Sequence, residues 1–325
     1  MSCASFHVLD ALRAIGEPTR LRILALLRYG DLSVGEFVQI LNQSQPRLSH
    51  HLKTLNMAGL VERLPEGSWV FYRLVREGAA GRLFESIIRE IDQDGDDMIA
   101  DIEALNRVRA QRAEAAELHF AGIAEDWDQL RLLHSSNETI EAALLGIVKE
   151  QEFDRIIDLG TGTARMLSIF APFAKQLEGL DSSHQMLTVA RANLAAANIV
   201  NADVRQGDIT NTPFEDQAAD LVIIHQVLHY LEQPQAALTE AARLLQPGGR
   251  LLIVDFAPHD HEFLRQEQGH RWLGIRQSDI SNWTRAAGLV LTDQRDFAPP
   301  DTLKQGLSVK IWVADKTPSK HEIRP

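Results

Sequence analysis

The stretch Arg155-Ile156-Ile157-Asp158-Leu159-Gly160-Thr161-Gly162-Thr163-Ala164 constrains this chain more than any other. An apolar run suited to a buried parallel strand turns through two closely spaced glycines into a helix. Glycines at such a turn leave no Cβ in the way of a ligand approaching the backbone. Asp181 follows Gly160 by 21 positions and closes the apolar stretch Leu177-Glu178-Gly179-Leu180. An acid at the end of a second parallel strand can accept hydrogen bonds from both hydroxyls of a ribose. Strand, glycine turn, helix and spaced acid together predict a nucleotide-cofactor site.

Strand and helix signals alternate from Arg155 onward, which predicts an α/β, Rossmann-like unit over 151–316, with a short tail at 317–325. Strands are expected at Arg155–Leu159, Gln176–Asp181, near Val204, Asp220–Ile224, Arg250–Asp255, near Leu289–Thr292 and at Leu307–Ala314. Helices are expected between them, as at Ser183–Ala197 and Pro234–Leu245. Ligands bind such sheets at the carboxyl ends of the strands, where the winding direction reverses. Asp158, Gly160, Gly162, Asp181, Asp208 and His225 all fall at such ends.

At 325 residues the chain is long for one domain, and two compact units are expected. A single cysteine, Cys3, excludes an internal disulfide framework and fits a reducing cytoplasm. Neither a signal peptide nor a membrane-spanning apolar run is legible, so a soluble cytoplasmic protein is expected. The net charge of −12 is unevenly spread. Residues 1–82 carry 10 Lys+Arg against 7 Asp+Glu, and the rest of the chain carries 23 against 38. Only the front piece is suited to a polyanion, so the two parts are expected to meet different partners.

Residues 1–82 predict an α+β unit. Leu21, Leu24 and Leu27 form a buried helical stripe after a break at Glu17-Pro18. Ser33 and Glu36 form a capping-box signature for a helix over Val34–Leu41. After the turn Asn42-Gln43, Ser44 is the expected cap of a second helix that continues to about Met57, with Pro46 tolerated in its first turn. Leu48, Leu52 and Leu55 share its apolar face, which leaves Arg47, His50, Lys53 and Thr54 on the other. Two strand-like runs, Leu60–Leu64 and Trp69–Leu74, are joined by Pro65-Glu66-Gly67-Ser68 and read as a hairpin wing. This is a winged helix-turn-helix, whose second helix can enter a major groove.

Residues 16–74 resemble the winged-helix domain of the ArsR/SmtB repressors. The matching residues are Gly16-Glu17-Pro18-Thr19-Arg20-Leu21-Arg22-Ile23-Leu24, Leu48-Ser49-His50-His51-Leu52-Lys53-Thr54-Leu55, Ala58-Gly59-Leu60-Val61 and Tyr72-Arg73-Leu74. The resemblance implies a homodimer on a palindromic double-stranded operator, with Gln45, Arg47, Ser49, His50 and Lys53 as DNA-contacting residues. His51, at the edge of the apolar stripe, is expected to be packed. Metal-sensing members carry cysteines before the recognition helix, where this chain has Phe37-Val38-Gln39; metal control is not expected.

Residues 83–150 form a helical connector. Phe84, Ile87, Ile88 and Ile91 make an amphipathic face that could pack against its copy or against the winged helix. Residues 92–97 read as a solvated acidic hinge rather than a calcium loop. Met98, Ile102, Leu105 and Val108 mark another helix. Trp127, within Phe120–Leu133, is a candidate lid over the ligand or a flank packer.

The unit over 151–316 resembles the class I S-adenosylmethionine-dependent methyltransferases. The resemblance assigns Asp158, Gly160, Thr161 and Gly162 to S-adenosylmethionine or S-adenosylhomocysteine, with the glycines approaching its methionine part. Ala164 stands where a third glycine is frequent. It assigns Asp181 to the ribose, Met186 to the adenine face and Asp208-Ile209 to the adenine amine, with Ser182 also bordering the cofactor and Pro247-Gly248-Gly249 as the turn before the fifth strand. A dinucleotide is disfavoured because Arg165 interrupts the pattern G-x-G-x-x-G.

His225, which also borders the cofactor, His229 and Tyr230 lie where a methyl acceptor would sit and are the candidate catalytic residues. For His229, packing at a helix start is an equal alternative. His259, Asp260, His261, His270 and Arg271 could line the other wall. No third ligand accompanies His259 and His261, so no metal site is assigned. A base-methylating DNA enzyme would show a Pro-Pro-aromatic turn where His225-Gln226-Val227-Leu228 stands, and arsenic methylation needs more thiols than Cys3. Two functions remain open. One is a repressor whose methyltransferase-like half senses the cofactor; the other is an active small-molecule methyltransferase that regulates its own expression.

Overall fold

The computed structural model describes residues 3–76, 78–88, 95–133, 137–148, 151–299 and 306–318. Contacts divide the chain into two units: Met1–Ala116 with Arg191–Asp203, and Glu117–Ala190 with Val204–Pro325. No described helix is long and apolar enough to cross a membrane.

The first unit opens with α1 (Cys3–Ile15) and α2 (Pro18–Leu27), separated at Gly16-Glu17. Glu17 caps α2 by accepting the Arg20 N–H at 2.9 Å, and Pro18 opens the helix where no intrahelical donor is needed. A short strand β1 (Leu32–Ser33) leads into α3 (Val34–Leu41) through the expected capping box. Ser33 Oγ accepts from Glu36 N, and the Glu36 carboxylate accepts from Ser33 N at 2.7 Å. Asn42, with φ at +50°, turns the chain into α4 (Gln45–Met57). Ser44 holds the cap position of α4, but its side chain makes no capping bond; the Pro46 start carries the turn instead.

The wing is β2 (Val61–Glu66) against β3 (Trp69–Leu74), and β3 also pairs with β1. Pro65 and Glu66, expected in the turn, remain in β2, opposite Val70 and Trp69. Only Gly67 and Ser68 are left to reverse the chain, and Gly67 supplies the positive φ (+58°) of such a two-residue turn. Proline is tolerated in β2 because it is an edge strand with β3 as its one neighbour.

Phe84 and Ile88 of α5 (Gly78–Ile88) are buried in the core of this unit with Leu24, Leu48, Leu52 and Leu55. Ile91 lies outside the described residues. One helix, α6 (Asp96–Leu133), begins inside the segment expected to be a hinge and spans the two helical patterns that follow. Its Met98, Leu105 and Val108 join the same core. Arg22 donates bidentately to Asp101 of α6, at 2.7 and 2.6 Å. Arg112 of α6 does the same to Glu36 at 2.5 and 2.7 Å. Burial alone would raise the Glu36 carboxyl, but Arg112 and the Ser33 bonds hold it below its ordinary range. The side chain of Trp127 lies outside the described residues.

The elements that follow α6 form a seven-stranded sheet flanked by helices. After α7 (Asn137–Val148) come β4 (Phe153–Leu159), α8 (Arg165–Phe170), β5 (Ala174–Asp181), α9 (His184–Ala196), β6 (Ala202–Gln206) and β7 (Ala219–His225). There follow α10 (Pro234–Leu244), β8 (Leu245–Phe256), α11 (Phe263–Glu267), α12 (Gln277–Ala286), β9 (Leu289–Phe297) and β10 (Val309–Lys316). The strand order is β6-β5-β4-β7-β8-β10-β9. β4 pairs in parallel with β5 and β7, and β7 with β8, while β10 runs antiparallel to β8 and β9. Ile156, Ile157, Leu221, Val222, Ile223 and Leu252 are fully buried, as unbroken apolar runs in central parallel strands require. Winding reverses between β4 and β7, so the loops after β4, β5 and β7 converge on one crevice.

Candidate functional site

The recognition-helix candidate is α4. Its apolar face, Leu48, Leu52 and Leu55, is fully buried, and at helical spacing this leaves Gln45, Arg47, His50 and Lys53 exposed, with Ser49 half-buried. His51 is buried, 3.5 Å from the Glu17 carboxylate, and burial pushes its imidazole below the usual range. It belongs to the packed side of the helix, as its place in the stripe suggested.

At the tip of β4 positive φ values at alternate residues, +82° at Gly160, +52° at Gly162 and +64° at Ala164, coil the backbone into the start of α8. Ala164 thus adopts a left-handed conformation that favours glycine. The turn is fastened to β5: Gly160 N and Thr161 N donate to Leu180 O at 2.8 and 3.0 Å, and Gly162 N donates to Asp181 Oδ2 at 2.9 Å. Asp181 Oδ1 accepts from Ser183 N at 2.8 Å. A Cβ at Gly179 would come within 2.6 Å of the Thr161 side chain, and one at Gly160 within 2.7 Å of Val227. Glycine is therefore required for close packing inside the turn as well as for access.

Asp158 lies one residue before the end of β4 with 1% of its surface exposed, and neither carboxyl oxygen has a hydrogen-bond partner among the described residues. Burial pushes its carboxyl up to about 7; the Asp181 charge adds to this, and the Thr161 hydroxyl offsets part without closing a bond. Ser182 is exposed, and Met186 is half-buried in the first turn of α9. Gly207 N donates to Asp181 O at 2.9 Å, which brings the loop after β6 to the same crevice. There Asp208 Oδ1 accepts from Thr210 N and Oγ1 at 2.8 and 2.7 Å, and Ile209 is buried.

Beyond β7 and β8 the chain gathers a second cluster. His225 is the half-buried last residue of β7, opposite Val254. Gln226 turns the chain with φ at +53°, and a single 3-10 turn, Leu228–Tyr230, follows. His229 is 1% exposed, and its Nδ1 lies 2.7 Å from Oδ1 of the fully buried Asp255. Its ring centroid is 4.1 Å from Tyr230, 4.2 Å from His270 and 5.1 Å from Phe256. Its carbonyl accepts the N–H groups of Arg271 and Trp272, which fixes the loop that carries His270. Burial pushes His270 down to about 3 and His259 to about 4, so both are neutral imidazoles at physiological pH. Burial, with the Asp255 charge, pushes the Tyr230 hydroxyl up to about 12.

His229 and Tyr230 thus come together with His270, while His225 lies at the strand end. Asp255 is the residue that sequence reasoning passed over: it appeared only as the end of a strand, and nothing in local spacing paired it with His229, 26 positions earlier. His259 Nδ1 accepts from His261 N at 3.3 Å. Among the described residues no group of three His, Cys, Asp or Glu side chains could hold a metal ion.

Two family models match the chain. Residues 17–63 match the bacterial regulatory protein, arsR family, and residues 157–253 match the methyltransferase domain. A demethylmenaquinone methyltransferase of Clavibacter sepedonicus is 35% identical over 170 residues, covering 44% of this chain and 69% of that protein. The uncharacterized methyltransferase YcgJ of Bacillus subtilis is 28% identical over 138 residues, 40% of this chain, which spans about half of it (53%). The crystal structure of YcgJ superposes with a TM-score of 0.50 at 17% identity, covering 56% of this chain and all (100%) of that one, a likeness of fold. The chain belongs to the methyltransferase family and joins to it, at residues 17–63, the DNA-binding helix-turn-helix of the bacterial arsR regulators.

Proposed function

We propose that this protein is a cytoplasmic, homodimeric transcriptional repressor whose methyltransferase domain binds S-adenosylmethionine or S-adenosylhomocysteine and makes operator binding depend on it. The observation that carries this is the pairing of an unpartnered buried carboxylate, Asp158, with a glycine turn and a second acid, Asp181, at adjoining strand tips. A lone carboxylate in a nonpolar setting is costly unless a cation or donor meets it. The ammonium of the cofactor's methionine part supplies both. Gly160, Thr161 and Gly162 offer backbone at close range, and Asp181 with Ser182 faces the ribose. Met186, Asp208 and Ile209 take the adenine, with His225 closing the crevice. Operator contacts come from Gln45, Arg47, Ser49, His50 and Lys53, all on the outer side of α4.

A ligand can shift DNA affinity only by as much as it prefers one arrangement of the dimer over another. The test is operator affinity of the full chain without ligand and with each cofactor form. A change with either form supports sensing. Equal affinities in all three conditions, with cofactor binding demonstrated by calorimetry, remove the sensor.

One observation favours turnover as well: the His229–Asp255 pair holds a base beside the crevice. Bound S-adenosylmethionine supplies an electrophilic methyl on sulfur; His229 takes a proton from a small-molecule acceptor, with Tyr230 and His225 lining the approach. The 35% identical relative from Clavibacter is named for methyl transfer to demethylmenaquinone. Labelled S-adenosylmethionine incubated with the protein and cell metabolites reads this out.

A further inference from the structure

Three buried ring nitrogens of the cluster have no hydrogen-bond partner among the described residues: both of His270 and Nε2 of His259. His270 is 3% exposed and its ring stacks on Phe256 at 5.9 Å and lies 4.2 Å from His229. A buried polar group left unpaired is destabilising, and native interiors rarely tolerate several together. Tyr230 is the exposed member of the cluster, at 40%, while Asp255 and His229 are buried.

From this we propose that the cluster is the acceptor site, that it takes a neutral hydroxyl borne on a planar aromatic ring, and that Asp255 is the positioning residue for His229. The proposal rests on the turnover function given above and adds to it the class of acceptor. A neutral imidazole has one donor and one acceptor nitrogen, and a hydroxyl both donates and accepts. The match is therefore to a hydroxyl rather than to a carboxylate, which the buried Asp255 repels, or to an ammonium, which cannot accept. Tyr230, the exposed ring of the cluster, supplies a face on which a planar ring stacks.

A carboxylate only accepts, so Asp255 requires the proton of His229 to sit on Nδ1 and leaves Nε2 with its lone pair. The acceptor O–H bond breaks with its proton passing to Nε2. The oxygen bonds the methyl carbon, and the C–S bond breaks with its electron pair left on sulfur, which becomes a neutral thioether. The proton then leaves His229 for solvent. Phe256 N also donates to Asp255 Oδ1, at 2.8 Å, and His229 N lies 3.4 Å from Oδ2, so the carboxylate cannot rotate away.

The test uses the full chain saturated with S-adenosylhomocysteine, with phenol and toluene as near-isosteric probes. Phenol is expected to bind at least roughly tenfold more tightly than toluene. His270→Phe keeps the ring and removes the nitrogens; it is expected to erase that preference while S-adenosylhomocysteine affinity stays unchanged. In Asp255→Leu the acceptor that holds the Nδ1 proton is gone, and the histidine nitrogen shifts seen by NMR are expected to show the proton of His229 redistributed between Nδ1 and Nε2. Equal binding of phenol and toluene by the wild type, or a preference that survives in His270→Phe, overturns the proposal while leaving the cofactor site standing. Failure of the wild type to bind S-adenosylhomocysteine overturns the cofactor reading itself, and this inference with it.

Discussion

Gly162 donates its backbone N–H to Oδ2 of Asp181 at 2.9 Å, joining two strand tips that lie 19 positions apart in the chain. The same carboxylate accepts from Ser183 at the start of α9, so one side chain ties the turn after β4 to the turn after β5. Each oxygen accepts one of these bonds and has capacity for another, so in the proposed function Asp181 receives ribose hydroxyls while it shapes the turn.

Replacing that residue separates the two roles. Asp181→Ala is expected to weaken S-adenosylhomocysteine binding roughly tenfold to a hundredfold and to cost about 1–3 kcal/mol of stability, because two backbone donors lose their acceptor. Calorimetry and urea unfolding measure the two effects.

Asp158 gives a pH signature. Its folded-state pKa, about 7, lies above the ordinary value of 3.8, so between these values the folded state holds more protons than the unfolded state. Stability of the ligand-free protein is therefore expected to fall as pH rises from about 4 through about 7. A cationic methionine part favours the ionised carboxylate, so cofactor affinity is expected to rise across the upper part of the same range, with proton release on binding. Asp158→Asn removes the titration. It is expected to flatten both profiles and to weaken binding roughly tenfold or more, read by calorimetry in two buffers of different ionisation enthalpy.

Gly179→Ala tests packing under the turn. The added Cβ would meet Thr161 at 2.6 Å, at a side chain wedged inside the loop. The expected result is a loss of about 1–3 kcal/mol in stability, seen as a lower urea midpoint, with weakened S-adenosylhomocysteine binding.

Arg47→Ala tests the other unit. Its side chain is exposed on the outer face of α4, and its removal is expected to lower operator affinity roughly tenfold to a hundredfold while leaving S-adenosylhomocysteine affinity unchanged. Fluorescence anisotropy on a labelled operator reads the first quantity and calorimetry the second. Undiminished operator affinity would remove α4 as the recognition helix.

Whatever depends on local order was legible in the residues themselves. The apolar run Ile156-Ile157 before Gly160 announced a buried parallel strand, and Leu48, Leu52 and Leu55 oriented α4, because period and turn chemistry act over a few residues. The Ser33–Glu36 capping box is likewise a contact three positions long. Ser44 shows the limit even at that range: the residue type fits a cap, but the side chain makes no such bond. What the tertiary structure alone decided are the contacts that close long loops. Asp255 meets His229 across 26 positions, Asp101 meets Arg22 across 79, and Asp158 is left unpartnered because the fold buries it beside Asp181. The chain's periodicity states which face of a strand or helix is buried, while the charged and ring-bearing partners at a strand tip are chosen by the order in which strands assemble, a property of the whole sheet.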